Sequence, residues 1–413
     1  MSWERLPIGD LLQRQSNKRI IQQGWSPKCH AHPAAPEEWG VLKTTAIQPG
    51  KFEPEHNKAL PDTLDPRSNI EVKVGDLLIT CAGPRARCGI PALVQHTPAR
   101  LMLSGKMYRL RPGERIDARF LEMYLMSPDA QKRIDEMKTG ISDSGLNLTH
   151  DRFVQLPVPV PPLEEQHRIV AILEEHLSHL AVADSQLSAA LRRVDSLWKK
   201  TLARVTIGAL VPLNDLSVVA GYGTSEKCVV DGPGPAVVRI PNLVDGRIDL
   251  TDEKRVADRA ADVTRSKLSP GDLLIVRSNG SVDLIGRSAV VQEGIDAAFA
   301  SYLIRYRLRG DVVRPRWVQA MLSTPQLRRR IESLAASSAG QHNLSLGKLG
   351  PLPIPVPAIE EQDAALTQLD AFDADRRRIL VAITNSRARS GSLRRALLAT
   401  AFSGQLTGTG SDA

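Results

Sequence analysis

The stretch Leu156-Pro157-Val158-Pro159-Val160-Pro161-Pro162-Leu163-Glu164-Glu165-Gln166 returns 196 residues later as Leu352-Pro353-Ile354-Pro355-Val356-Pro357-Ala358-Ile359-Glu360-Glu361-Gln362, with eight of eleven positions identical. The same offset aligns Val74-Gly75-Asp76-Leu77-Leu78-Ile79 with Pro270-Gly271-Asp272-Leu273-Leu274-Ile275, and Val41-Leu42-Lys43 with Val237-Val238-Arg239. It also aligns Leu197, Gly208 and Leu210 with Leu393, Gly404 and Leu406. One register persisting over that length makes the chain a tandem duplication of a domain-sized unit. Near the start Pro7 matches Pro212, so one indel of nine residues is expected between the copies. A fused pair of copies can mimic a two-fold dimer while each copy diverges, which suits a target with two different halves.

Each copy has two textures. Residues 1–155 and 206–351 mix short apolar runs with Gly, Pro and Asn punctuation, the pattern of strands, turns and a few helices. Gly75-Asp76 and Gly271-Asp272 read as tight turns feeding buried strands. Ala118 to Lys138 and Arg316 to Ala336 show helical spacing around Phe120, Tyr124 and Leu125 and around Trp317, Met321 and Leu322, interrupted by Pro128 and Pro325 at matching places. Residues 156–205 and 352–403 differ. An extended or polyproline-like run gives way to Pro162, which costs a helix start nothing, and to glutamates that favour the positive end of the helix dipole.

Leu163, Val170, Leu173, Leu177, Leu180, Leu187, Leu191, Val194 and Trp198 then fall at steps of three and four, with Gln166 and Asp184 as polar members of the seam. That is the repeat of a coiled-coil helix. Its counterpart is looser but keeps Leu366, Leu369, Leu380, Ile383, Leu397 and Ala401 in the same spacing. At about 1.5 Å per residue each helix reaches roughly 60 Å. Both helices begin acidic and end basic, so an antiparallel pair sets opposite charges side by side; the same charges also read as solvated faces obeying their own dipoles. The expected architecture is α+β: two mixed α/β domains joined by two long helices in an antiparallel coiled coil, a pseudo-two-fold tandem repeat, with 404–413 as a tail.

Of the 413 residues 42% are hydrophobic and 24% charged, the balance of a soluble globular protein. No run of eighteen apolar residues occurs, so no membrane partner is expected and a cytoplasmic location is. Four cysteines give no disulfide framework, and Cys29-His30-Ala31-His32 lacks the second ligand pair of a metal site; no metal is expected. Phosphate-loop, dinucleotide, zinc-protease and nucleophile-elbow patterns are absent, and no Asn-Pro-Pro-aromatic run offers to hold a flipped adenine. Asp76 and Asp272 follow turn glycines and read as turn formers rather than acids or bases.

A net charge of +8 favours a polyanionic partner. The segments after the repeated strands, Ala82-Gly83-Pro84-Arg85-Ala86-Arg87-Cys88-Gly89 and Arg277-Ser278-Asn279-Gly280-Ser281-Val282, are rich in groups that pair with base edges and in glycines that let backbone approach phosphate. Arg85, Arg87, Arg277, Ser278 and Asn279 are therefore candidate DNA contacts, with ordinary surface loops as the plain alternative. Lys43 and Arg239, with Thr44 and Asn242 nearby, occupy equivalent places. Trp25, followed by Lys28, belongs to the first copy alone, where the indole either stacks at a base step or fills a core. Leu146-Asn147-Leu148 and Gln341-His342-Asn343 precede each proline run and read as turn and cap residues.

Two variable α/β units, each followed by Leu-Pro-x-Pro-x-Pro, Glu-Glu-Gln and a heptad helix, the last ending on Ala401-Phe402-Ser403-Gly404-Gln405-Leu406, together resemble the specificity subunit of type I restriction–modification enzymes over essentially the whole chain. The central copy departs from that ending, with Arg204-Val205-Thr206-Ile207-Gly208-Ala209-Leu210. The resemblance implies two target-recognition domains, each reading half of a bipartite double-stranded DNA site. It implies helices that space the domains and dock two methyltransferase subunits, with restriction or motor subunits beyond. This chain is then non-catalytic, while S-adenosylmethionine, ATP and magnesium belong to partner subunits. Carried over, Leu163, Glu164, Glu165, Gln166, Ile359, Glu360, Glu361 and Gln362 lie near partner contacts. The alternative is a scaffold that joins two interaction domains by a helical hairpin and binds no DNA.

Overall fold

The computed structural model describes residues 3–15, 18–205, 208–335 and 342–406. It divides into two compact units, Met1–Leu187 with Thr384–Ala413, and Ser188–Ile383. Each unit is α+β, and each long helix is shared between them. No helix of the described residues is long and apolar enough to cross a membrane.

The core of unit 1 is an antiparallel sheet ordered Gln22–Gln23, Met107–Leu110, Leu77–Thr80, Pro91–Leu93. Unit 2 repeats the order with Ser217–Tyr222, Leu303–Leu308, Leu273–Val276, Ser288–Val290. Register is conserved as well as order: Arg109 faces Leu78, and Arg305, 196 residues on, faces Leu274. Leu77–Thr80 and Leu273–Val276 are buried along their whole length, and each is entered through a glycine with positive φ, +88° at Gly75 and +85° at Gly271. A residue with a Cβ pays a steric penalty in that conformation, which is why the turns carry Gly-Asp.

Pairing resolves the expected nine-residue indel into two. Leu12 bridges Pro112 where Ser217 pairs with Leu308, yet Gln22 pairs with Arg109 where Gly221 pairs with Arg305. Unit 1 therefore holds six additional residues between Leu12 and Gln22, and the other three fall before Gly40.

The two expected helical stretches are pairs of helices. Ala118–Leu125 is capped by Asp117, whose carboxylate accepts from the Phe120 amide at 2.8 Å. Pro128 and Pro325 do more than interrupt: each begins the next helix, Pro128–Met137 and Pro325–Ala335, behind the hydroxyls of Ser127 and Thr324. Phe120, Tyr124, Leu125, Trp317, Met321 and Leu322 are all buried, as their spacing predicts.

The proline runs are strands, not polyproline helices. Pro157–Pro159 pairs antiparallel with Arg5–Pro7, and Pro353–Val356 with Ala209–Pro212. Leu156, Val160 and Leu352 bond the neighbouring strand through their backbones, so the alternating prolines sit where a missing N–H costs no ladder bond. Their outward carbonyls are satisfied by other groups: Tyr124 Oη donates to Pro157 O at 2.6 Å and Trp317 Nε1 to Pro355 O at 2.7 Å.

The long helices run Leu163–Val205 and Ile359–Phe402. In the first, Val170, Leu173, Leu177, Leu180, Asp184, Leu187, Leu191, Val194 and Trp198 form a half-buried to buried stripe among mostly exposed neighbours. Leu163, assigned to that seam, is instead 43% exposed. Within unit 1, Ile169 and Leu173 share a core with Leu398, Ala401 and Phe402, and the Phe402 ring meets Phe120 and Tyr124 edge-on. Within unit 2, Trp198 stacks on Phe372 at 5.8 Å. Early residues of each helix meet late residues of the other, which is antiparallel pairing. The second helix is looser because Asp373 and Arg376 occupy its stripe, held as an ion pair of 2.6 Å with Arg376 over the Trp198 ring.

Candidate nucleic-acid interface

Both units build their variable loops on one buried electrostatic brace. Asp76 caps its own turn by accepting the Lys73 amide at 2.9 Å and pairs with Arg111 at 2.8 Å; Asp272 accepts from Ser269 at 2.9 Å and pairs with Arg307 at 2.7 Å. The buried Arg109 and Arg305 lie 3.8 and 4.0 Å from the same carboxylates, and burial lowers the pKa of both guanidinium groups. Asp76 and Asp272 are thus the turn formers expected from the sequence and, beyond that expectation, buried counter-ions. The strand that follows each brace runs to a short edge. Ala82–Gly83 pairs with Leu146–Leu148 so that Ala82 faces Asn147; Ser278–Asn279 pairs with His342–Asn343 so that Ser278 faces Asn343, each residue 196 further on. The segments read as turns and caps are therefore strands flanking the loops, Leu146–Leu148 lying between Lys138–Thr139 and Ala82–Gly83; Gln341 lies outside the described residues.

From this shared edge the two copies diverge. Arg85 is exposed, tied to Asp135 at 2.7 Å and Asp143 at 3.1 Å, and these hydrogen bonds raise its pKa. Arg87 is a brace rather than a free reader: it donates to Gln48 Oε1 at 3.0 Å and to the carbonyls of Thr44 and Ile47 at 2.5 and 2.8 Å. Lys43 and Lys28 are exposed and have no ion-pair partner among the described residues. Thr44 is half-buried. Trp25 is half-buried too, packed on the apolar core with the Arg67 guanidinium 4.1 Å from its ring, so the core reading of this indole prevails over a projecting wedge.

In unit 2, Arg239 is engaged by Asp252 at 2.8 Å, and Asn242 is buried, donating to Asp249 O and Asp252 O while accepting from the Arg239 amide. Asn242 is therefore structural, because its amide satisfies loop backbone that water cannot reach. Arg277 stacks over Tyr222 at 4.4 Å and donates to Leu344 O, Ser301 O and Asn343 Oδ1. Ser278 is half-buried in the edge strand. Asn279 holds its own loop by accepting from the Ser281 amide at 2.9 Å.

A family described as "Type I restriction modification DNA specificity domain" matches residues 2–191. The type I restriction enzyme EcoEI specificity subunit of Escherichia coli is 31% identical over 192 residues, 46% of this chain and 31% of that protein. The EcoKI specificity subunit of Escherichia coli strain K12 is 24% identical over 390 residues, 89% of this chain and 82% of that protein. The chain thus resembles type I restriction enzyme specificity subunits, its residues 2–191 matching the DNA specificity domain, while it spans about a third of the EcoEI relative's length. A chain from a solved structure on complex assembly and conformational transition of the type I R-M system has the same fold, with a TM-score of 0.71 at 21% identity and 98% of both chains covered.

The Glu-Glu-Gln element of this chain divides into two kinds of residue. Gln166 and Gln362 are fully buried and cannot be partner contacts. Gln166 accepts from the Asp117 amide at 2.8 Å and donates to Arg115 O and Pro161 O; Gln362 accepts from the Arg314 amide at 2.8 Å and donates to Val312 O and Pro357 O. Each pins its helix start to the globular part. Leu163, Glu164, Glu360 and Glu361 are exposed, Glu165 and Ile359 half-exposed, so these six remain available to a partner surface. Further along, Glu174 and Asp370 reach back to Arg119 and Arg316 at 2.8 and 2.5 Å, again in register.

One cationic feature was missed from the sequence. Arg14, Lys18 and Arg19, with Ile20, Ile21, Gln23, Tyr108 and His150, line a groove of ≈ 410 Å³ in unit 1. The signal was the density of basic residues inside the six-residue insertion, which only the strand pairing localises.

Proposed function

We propose that this chain is the sequence-specific DNA-binding subunit of a type I restriction–modification complex, each globular part reading one half of a bipartite, asymmetric double-stranded site. The observation that carries this reading is a repeated scaffold bearing unlike side chains: Ala82 opposite Asn147 and Ser278 opposite Asn343 occupy one register, while the loops that follow carry Arg85 and Arg87 in one copy and Asn279, Ser281 and Asp283 in the other. A scaffold repeated with changed loops is how one chain reads two different sequences. Backbone phosphates supply affinity through counterion release, and base-edge contacts select the site.

The chain is non-catalytic in this reading. Two methyltransferase subunits dock on it through the exposed helix-start residues, restriction or motor subunits assemble beyond them, and the complex acts in the cytoplasm. S-adenosylmethionine, ATP and magnesium are held by those partners. The long helices, each shared by both units, set the gap between the half-sites, as regular helices do at about 1.5 Å per residue.

Inserting four residues into the first long helix near Asp184, reconstituting the complex with its methyltransferase and mapping methylated sites tests this assignment. The expected result is a longer spacer between two unaltered half-sites. A change in either half-site, with the spacer retained, overturns it.

A further inference from the structure

The six-residue insertion of unit 1 supports a site that unit 2 lacks. Its described residues are tied to one another: the Gln15 amide donates to Arg19 O and the Lys18 amide to Gln15 O, both at 2.8 Å, and Arg14 Nη1 donates to Lys18 O at 3.1 Å. Lys18 sits at φ +64°, the left-handed region, which holds the turn tight and leaves its side chain exposed. The turn is anchored from below by Gln15, buried, whose carboxamide accepts from Arg109 Nε at 2.8 Å and donates to Arg109 O at 3.1 Å. Three cationic side chains thus rim a groove floored by Tyr108 and His150, with Asp151 3.4 Å from His150.

The groove adjoins the variable loop. Gln23, on its floor, donates to Gly105 O and reaches Cys81 Sγ at 3.9 Å, and Cys81 immediately precedes the edge strand Ala82–Gly83. At the equivalent place in unit 2 the groove is filled. Tyr222 replaces Gln23, Arg277 replaces Cys81 and Leu346 replaces His150; the Arg277 guanidinium covers the tyrosine ring and the Leu346 amide donates to Tyr222 Oη at 3.0 Å.

Resting on the DNA-binding reading above, we infer that Arg14, Lys18 and Arg19 form a clamp for the phosphodiester backbone beside the half-site read by unit 1, so that DNA is gripped asymmetrically. Cations on a short anchored turn, next to the readout loop, hold phosphates in a fixed register and carry no sequence information themselves.

The test is equilibrium binding of the complex with its methyltransferase subunits to a duplex containing its site, by fluorescence anisotropy over a salt series. Each phosphate contact contributes about 0.9 to the slope of log K against log salt. The double variant Arg14→Ala/Lys18→Ala is expected to lower that slope by about 1.8, with the rank order of duplexes altered in either half-site unchanged. Lys18→Gly removes one charge at a position where glycine is conformationally at ease, and should lower the slope by about 0.9 without loss of thermal stability. An unchanged slope for Lys18→Gly in a complex whose parent binds DNA with salt dependence overturns the clamp, as does a change of base preference. A parent complex without salt-dependent binding to the duplex overturns the DNA reading instead.

Discussion

Arg109 in unit 1 and Arg305 in unit 2 stand at the same strand position, buried against equivalent aspartates, yet only one is fully accommodated. Arg109 donates through Nε to Gln15 and through its terminal nitrogens to Glu71 O and Asn69 O. Arg305 keeps one of these bonds, to Lys267 O at 2.8 Å, while its Nε is buried without a partner among the described residues and its guanidinium lies 5.3 Å from the Phe299 ring. Gln15 belongs to the insertion. The one insertion therefore completes a buried polar network through Gln15 and brings Arg14, Lys18 and Arg19 to the groove, so in this duplication the basic segment and the stabilising contact occur together.

Removing the aspartates gives the largest effect expected. Asp272→Ala leaves a poorly bonded guanidinium buried without its counter-ion and should cost about 3–5 kcal/mol. Asp76→Ala should cost less, at the lower end of that range, because Gln15 and two carbonyls still hold Arg109. Denaturant melts of the two variants check the order. Equal losses would break the claim that the insertion compensates unit 1.

Next come the buried glutamines, where the units should behave alike. Gln166→Ala and Gln362→Ala each strand one backbone amide and two carbonyls at a helix start, worth about 2–3 kcal/mol. Matching losses within about half a kcal/mol are expected from matching networks. Glu164→Ala and Glu360→Ala, on the exposed face of the same turns, should leave stability within about 0.5 kcal/mol and act on methyltransferase binding alone.

These residues also mark how far the sequence could be read. The repeat, the heptad stripe, the Gly-Asp turns and the core aromatics were legible because each follows from local chemistry with a fixed period: a glycine for positive φ, apolar steps of three and four, prolines on the unbonded side of a strand. Gln166 and Gln362 were legible as a motif but not as buried, since a polar residue in a helix's first turn looks solvated until the chain that folds over it is known. Arg87, Arg239 and Asn242 were read as available donors for the same reason. Their partners lie 3 to 43 residues away, and no sequence period announces such pairs. The insertion hid because the offset shows only its sum, nine, whereas strand pairing shows where the residues went.

A charge-reversed pair gives the smallest and most selective test. In unit 2, Arg314 holds Asp363 at 2.8 Å; at the matching place in unit 1 the signs are exchanged, with Asp117 3.9 Å from His167, an ion pair only when the imidazole is protonated. The hydrogen bond from Arg314 holds Asp363 below its ordinary 3.8, so its contribution is present above that value and is lost as pH falls through the depressed pKa. The Arg314 contact is exposed, so its effect on stability is small. Urea melts between pH 5 and 2.5 should show that Asp363→Asn flattens the acid limb, whereas His167→Ala leaves that limb in place. An acid limb identical in the parent and Asp363→Asn would mean that the Arg314 pair is an ornament of the surface, and the comparison would then rest on the buried networks alone.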